Sequence, residues 1–234
     1  MVREGAAICG CLDERVEPAD EKRRVMSDQT NITSQVSKTI GRTVGLVLAL
    51  PNLAGYVLGS RVLGKERAFA LTSERLAVRG GLLGIYVRQA FYRYTTGGVG
   101  RDVCFGFMSV FSKPAVRVGQ RVYIGRFCSI GWAELQDDVM LADGVQVLSG
   151  RHQHGAESRD GGALRDNVQR FERVTIGRGA WIGAGAVVMA DVGPGAVVAA
   201  GAVVVRPVAA GARVGGVPAK ALGSDRATRS AIAA

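Results

Sequence analysis

The chain has 234 residues, 47% of them hydrophobic, which supplies one substantial core without demanding two independent domains. Its 33 Gly and 6 Pro carry no G-X-Y period, which excludes collagen and argues against low-complexity disorder, so the glycines serve turns. A net charge of +10 fits an anionic partner such as an acidic membrane surface or a phosphorylated cofactor, but the basic residues are scattered and no nucleic-acid module is recognisable, so no nucleic-acid partner is expected.

Residues 1–35 are rich in charged and hydroxyl side chains without apolar periodicity, and read as a mobile leader with no assigned fold. The same stretch lacks the layout of a secretory signal, and Cys9, Cys11, Cys104 and Cys128 show no zinc or redox spacing, so a reducing cytoplasm is expected. Residues 36–100 form a helical, partly apolar region. Within it Val44 to Leu63 is strongly apolar, but Pro51, Gly55, Gly59 and Arg61 argue against a spanning helix. A buried helix pair and a peripheral membrane contact through 44–63, at the inner face of the membrane, are the two readings. Leu82 to Tyr94 then places Leu82, Ile85, Tyr86 and Ala90 on one helical face, with Arg88 and Arg93 elsewhere. Gly97, Gly98 and Gly100 end that pattern.

The domain at 101–222 is self-similar at a period of six, most clearly beyond residue 114. Val118-Gly-Gln-Arg-Val-Tyr and Ile124-Gly-Arg-Phe-Cys-Ser are followed by the shortened Ile130-Gly-Trp-Ala-Glu, then by units from Leu135, Leu141 and Val147. After an interruption at 153–173 the pattern resumes as Ile176-Gly-Arg-Gly-Ala-Trp and Ile182-Gly-Ala-Gly-Ala-Val and continues from Val192 and Val198. Residues at positions one and five point inward, while Gly, Asp or Asn at position four permits a corner. Three faces make a coil of about eighteen residues, and stacked coils hydrogen-bond as parallel strands. The fold class is therefore mainly β, a parallel β-helix behind an N-terminal helical segment, with 223–234 as a tail. A purely architectural solenoid is the rival reading, and the expelled polar loop argues against it.

The chain has two histidines, His152 and His154, both where the regular repeat gives way to the loop. Two are too few for a three-histidine zinc site, so no metal is expected. The sharper role is general base, because a thioester acyl transfer needs a group of near-neutral pKa to take the acceptor proton. Glu134, at the inward position of the shortened unit, is expected one coil beneath His152, where it would orient the imidazole or bind the acceptor. Trp132, Arg151, Arg159 and Arg165 are candidate acceptor contacts, with Trp132 offering a face for a sugar ring.

The repeat, the Ser149-Gly-Arg-His152 turn, the loop and the resumption at Ile176 resemble hexapeptide acyltransferases of the galactoside and maltose O-acetyltransferase group, and most of all the colanic-acid-type polysaccharide O-acetyltransferases. The resemblance implies a left-handed β-helix and a homotrimer with active sites between subunits. It also implies acetyl-CoA as donor and catalysis by His152, with His154 in reserve and placed near the acceptor. It assigns Trp181, Gly183, Ala184, Ala200 and Gly201 to the pantetheine, and Arg206, Pro218 and Lys220 to the nucleotide phosphates. The expected activity is O-acetylation of a saccharide or glycosylated acceptor, with N-acetylation of an amino sugar or antibiotic as the alternative. The family's acceptor-site Asn has no clear counterpart, which leaves the acceptor open.

Overall fold

A computed structural model describes residues 18–150 and 171–222, with side chains described from residue 37 onward. Backbone contacts group residues 41–234 into one compact unit and residues 1–40 into another. Three helices come first, α1 Pro18–Leu63, α2 Lys65–Ala77 and α3 Gly81–Thr95.

Helix α1 corrects two expectations. Residues 18–35, part of the stretch read from sequence as a mobile leader with no assigned fold, are helical. Their Glu, Lys, Arg, Met and Gln residues are good helix formers, and Pro18 stands at the first position, where a missing N–H costs nothing. Pro51 and the two glycines do not interrupt the apolar segment either, since all three lie inside the helix. In the turn at Pro51 the Asn52 amide donates to the Leu48 carbonyl at 3.1 Å, adding a side-chain bond where proline removes a backbone one. By length and composition Ser37–Leu63 is apolar enough to cross a bilayer.

Helix α3 corrects the face read from sequence. Leu82 is 75% exposed, whereas Val87, Arg88, Phe91 and Tyr92 are buried. The reason is the surface α3 must cover. With α2 it closes the open end of the β-helix, and Tyr92 packs on Phe105 and Phe111 at ring separations of 5.0 and 4.6 Å. The Tyr92 hydroxyl lies 2.7 Å from Ser73 Oγ, and full burial raises its pKa above the usual tyrosine value. Arg88 donates to the carbonyls of Leu76, Arg79 and Phe105, tying the end of α2 to the first coil. Burial lowers its pKa, and these three bonds serve its two terminal nitrogens while the buried Nε has no partner among the described residues.

The first coils contain β1 Cys104–Phe105, β2 Val110–Phe111, β3 Arg117–Val118, β4 Tyr123–Ile124, β5 Ser129–Ile130, β6 Ala133–Leu135, β7 Met140–Leu141 and β8 Gln146–Val147. The coils after the interruption contain β9 Val174–Ile176, β10 Trp181–Ile182, β11 Val187–Val188, β12 Val197–Val198, β13 Val203–Val204, β14 Arg213–Gly215 and β15 Lys220–Ala221. Up to β11 every third strand joins the same sheet, and beyond it the third face continues as single bridges at Val192 and Val208: β1, β4, β7 and β10 lead one face on into β12 and β14, β2, β5, β8, β11 and β13 form the second, and β3, β6 and β9 the third. All the pairings are parallel except β14 with β15, which turns back at the end. The result is a left-handed parallel β-helix. Its interior is the column expected from positions one and five, with Ile124, Val139, Leu141, Val145, Ile182 and Ala186 all fully buried.

Candidate active site

The loop is pinned where it leaves and rejoins the coil. The Trp132 amide donates to Ser149 Oγ at 2.8 Å, and the Glu172 amide donates to the Ser149 carbonyl at 3.0 Å. Gly150 follows at φ 85°, a conformation that side chains resist. Arg151, His152, His154, Arg159 and Arg165 follow it and lie outside the described residues. The hydrogen bonds thus mark the base of the loop next to Trp132.

Trp132 lines a cavity of about 220 Å³ with Glu66, Lys113, Ala115 and Phe171. Lys113 is held between the Glu66 carboxylate at 2.7 Å and the face of Phe171, 4.4 Å from the ring centre. Glu134 corrects its expected orientation. Ala133 is the fully buried residue of this unit, and Glu134 faces out. The shortened unit shifts the inward position by one residue, because side chains alternate along a strand. Glu134 stacks between Arg117 and Thr175 and forms an ion pair with Arg173 at 3.2 Å. It borders an open cleft of about 590 Å³ with Gly97, Arg117, Gln136 and Arg178, separate from the Trp132 cavity. The two residues therefore serve different surfaces.

Beyond the loop, strand register gathers five of the expected residues. Trp181 pairs with Val197 and Ile182 with Val198, so the corner Gly183-Ala184-Gly185 stacks directly on Ala199-Ala200-Gly201. The Gly183 amide donates to the Val198 carbonyl and the Gly201 amide to the Ala184 carbonyl, each at 2.8 Å. A Cβ on Gly183 would stand 2.4 Å from the Ala200 nitrogen, so the stack requires glycine there. Trp181, 52% exposed, flanks these corners from the outer side of its sheet. The Ala184 and Ala200 amides have no acceptor among the described residues, and both residues are exposed. Small side chains beside open amides and an indole make a shelf that suits an extended amide-bearing chain.

Arg206 is exposed at the corner after β13. Pro218, exposed and preceded by a cis peptide bond, lies in the turn between β14 and β15, and Lys220 pairs with Gly215. Sequence reasoning missed Arg213, which continues the Trp181 and Val197 column on the same outer face. The signal was the sixteen-residue register of these late coils, which carries position 181 to 197 and then to 213. Among the described residues no cluster of His, Cys, Asp or Glu is arranged to hold a metal.

The comparisons with known proteins fall on this same architecture. A maltose O-acetyltransferase from Clostridium difficile 630 superposes with a TM-score of 0.59 at 23% identity, over 70% of this chain and 88% of its own. A hexapeptide-repeat acetyltransferase from Vibrio cholerae, complexed with acetyl coenzyme A, superposes with a TM-score of 0.58 at 23% identity, over 68% and 86%. The chain has the hexapeptide-repeat acetyltransferase fold. A galactoside acetyltransferase in complex with coenzyme A shares it at a TM-score of 0.56 and 19% identity, over 70% and 84%. In sequence, the hexapeptide-repeat chain is 33% identical over 131 residues to nodulation protein L of Rhizobium leguminosarum biovar viciae, covering 54% of this chain and 56% of that protein. It is 38% identical over 78 residues to the bifunctional protein GlmU of Rubrobacter xylanophilus, covering 32% of this chain and 17% of that one. The chain thus spans little more than half of the first curated relative and about a sixth of the second. No family model matches it.

Proposed function

We propose that this protein is a coenzyme A-dependent O-acetyltransferase, working as a cytoplasmic homotrimer with its sites between subunits. The observation that carries the reading is the shelf at Trp181, Gly183, Ala184 and Ala200, on the coils that follow the loop bearing both histidines. The structurally similar proteins complexed with coenzyme A or acetyl coenzyme A support the choice of donor. In this reading the Ala184 and Ala200 amides hold the pantetheine amides, Trp181 walls the thioester end, and Arg206, Pro218 and Lys220 meet the nucleotide.

His152 acts as general base. It takes the proton of an acceptor hydroxyl as that oxygen attacks the thioester carbonyl. The tetrahedral intermediate collapses with loss of coenzyme A thiolate, which receives the proton back from the imidazolium, so no acyl-enzyme forms. Trp132 at the base of the loop offers a flat apolar face to a saccharide acceptor, and Arg151 and His154 of the loop sequence are assigned to the same acceptor. Glu134, ion-paired with Arg173 and facing a cleft separate from the Trp132 cavity, takes no part in this acceptor site.

The test is mass spectrometry of sugars, glycolipids and amino sugars incubated with acetyl-CoA. Wild type is expected to add one acetyl group to a hydroxyl, and His152→Ala to lose at least about 100-fold in kcat. Trp181→Ala is expected to raise KM for acetyl-CoA about tenfold with a smaller change in kcat. Equal turnover by wild type and His152→Ala would remove His152 from the mechanism, and failure to bind acetyl-CoA would remove the reading.

A further inference from the structure

Helix α1 from residue 41 to residue 63 is amphipathic in the reverse sense for a soluble protein. The stripe turned toward the rest of its compact unit is Gly45, Ala49, Asn52 and Tyr56, which are small, polar or amphipathic. Adding a Cβ to Gly45 would place it 2.6 Å from Tyr86 Cβ, so glycine is what allows the helix to approach α3. Asn52 accepts a hydrogen bond from Arg75 at 3.3 Å, and the Tyr56 ring sits 6.3 Å from Phe69 and 5.8 Å from Phe91. The opposite side carries the large aliphatic residues. Val47 is 58% exposed, Leu50 54%, Val57 50%, Leu58 65% and Val62 80%. At 100° per residue these fall on the face away from Gly45, Ala49, Asn52 and Tyr56.

Such a continuous apolar face needs an apolar medium to cover it. Charge identifies that medium. No Asp, Glu, Lys or Arg occurs from Thr43 to Ser60, yet Lys38, Arg42, Arg61, Lys65 and Arg67 flank the run, and no acidic residue lies between Asp28 and Glu66. Two copies of this helix laid face to face would bring cationic ends together with little acid to pair them. Arg42 is already paired with Asp102 at 2.7 Å, and an anionic lipid surface pairs the others and accepts the aliphatic face between them. The contacts of Tyr56 and Asn52 with α2 and α3 fix the mode of contact, because a spanning α1 would have to drag the Asn52 and Arg75 pair into hydrocarbon.

We infer that α1 lies in the plane of an anionic membrane surface, with Val47, Leu50, Leu58 and Val62 inserted among the acyl chains and Arg61, Lys65 and Arg67 on the headgroups. The enzyme is thereby a monotopic protein that meets its acceptor at the bilayer. This goes beyond acetyl transfer and stands whether or not that reaction is the right one.

The experiment is cosedimentation of the full chain with phosphatidylcholine vesicles containing about 30% phosphatidylglycerol, and with phosphatidylcholine alone. Binding to the anionic vesicles is expected, weakened by salt and at least about tenfold weaker on the neutral ones. Val47→Glu with Leu58→Glu, two exposed positions that leave the inward stripe untouched, is expected to weaken binding at least about tenfold with an unchanged melting temperature. Charge reversal at Arg61, Lys65 and Arg67 is expected to abolish the preference for anionic lipid. Equal binding to both vesicle types overturns the inference, as does binding unaffected by the Val47 and Leu58 changes. A shift in sedimentation velocity on those changes without loss of vesicle binding overturns it in favour of a second copy of the chain. Protection of an N-terminal tag from protease, after synthesis into sealed vesicles, overturns it in favour of a spanning helix.

Discussion

The coils before the loop and those after it solve the same geometrical problem with different residues. Before the loop the interior carries Phe105, Phe111, Ile124, Leu135 and Leu141, while after it nothing larger than Ile176 and Ile182 is buried among the described residues, and Ala186, Ala196 and Ala202 fill much of the column. The early coils are correspondingly wider, with Phe105 stacking on Ile124 nineteen positions on and Ile124 on Leu141 seventeen on, against sixteen from Ile182 to Val198. The corners differ as well. Asp102, Met108, Arg121, Phe127 and Asp138, with Gly144, hold positive φ at the corners before the loop, whereas Gly179, Gly185, Gly195, Gly201 and Gly211 hold it afterwards. An L-residue in that conformation costs roughly 1 kcal/mol or more, so the early coils keep side chains at their corners against a backbone penalty. Those side chains have uses: Phe127 packs edge-on against Phe107, and Arg121 pairs with Asp138 at 2.6 Å. The later corners are bare, which is what a bound chain lying along them requires.

Removing bulk from the early interior should have the largest effect. Leu141→Ala, at a fully buried position paired with both Ile124 and Ile182, is expected to cost about 3 to 5 kcal/mol in denaturant unfolding. Next comes Gly183→Ala, whose new methyl meets the backbone of the next coil. It should cost about 2 to 3 kcal/mol and weaken acetyl-CoA binding, whereas Ala184→Gly should leave stability within about 1 kcal/mol. Gly185→Ala, at φ 67° with open space around its Cβ, should cost only the backbone strain, about 1 kcal/mol. The opposite change in the early half, Met108→Gly at φ 60°, should gain about 0.5 kcal/mol. If Met108→Gly destabilises as much as Gly185→Ala does, the distinction between the two kinds of corner fails.

The smallest effect concerns pH. The hydrogen bond from Arg121 holds the Asp138 carboxyl below its ordinary pKa. Its contribution is present above the unfolded carboxylate value and is lost as pH falls through the lower folded value. Unfolding of wild type and Asp138→Asn should therefore differ slightly and constantly above about pH 5, and converge in stronger acid. Partial exposure of both side chains to solvent keeps this difference small.

Much of the fold was legible in the residues because the hexapeptide period is local. An aliphatic residue at Ile124 or Ile182 must be inward whenever the corner beside it turns, whereas Trp181, Gly183 and Ala200 are singled out by resemblance and it is the sixteen-residue register that stacks them. Counting failed at Ile130-Gly-Trp-Ala-Glu, where one missing residue moves the inward position from Glu134 to Ala133. Arg213 was missed for a related reason, since late coils of sixteen residues carry the Trp181 column to a position that a period of eighteen does not reach.

By itself the sequence determined the β-helix, the site of its interruption and the small-residue corners that follow, because each depends on neighbours a few positions apart. Only the tertiary structure decided what the helices do. Which face of α3 is buried depends on the aromatic rings of the first coil, and that α1 runs unbroken through Pro51 depends on what its two sides touch. Arg88 makes the point most sharply. Read along its own helix it belongs on the polar side, yet it is 1% exposed, because the carbonyls of Leu76, Arg79 and Phe105 meet around it only once the helices have closed the end of the prism.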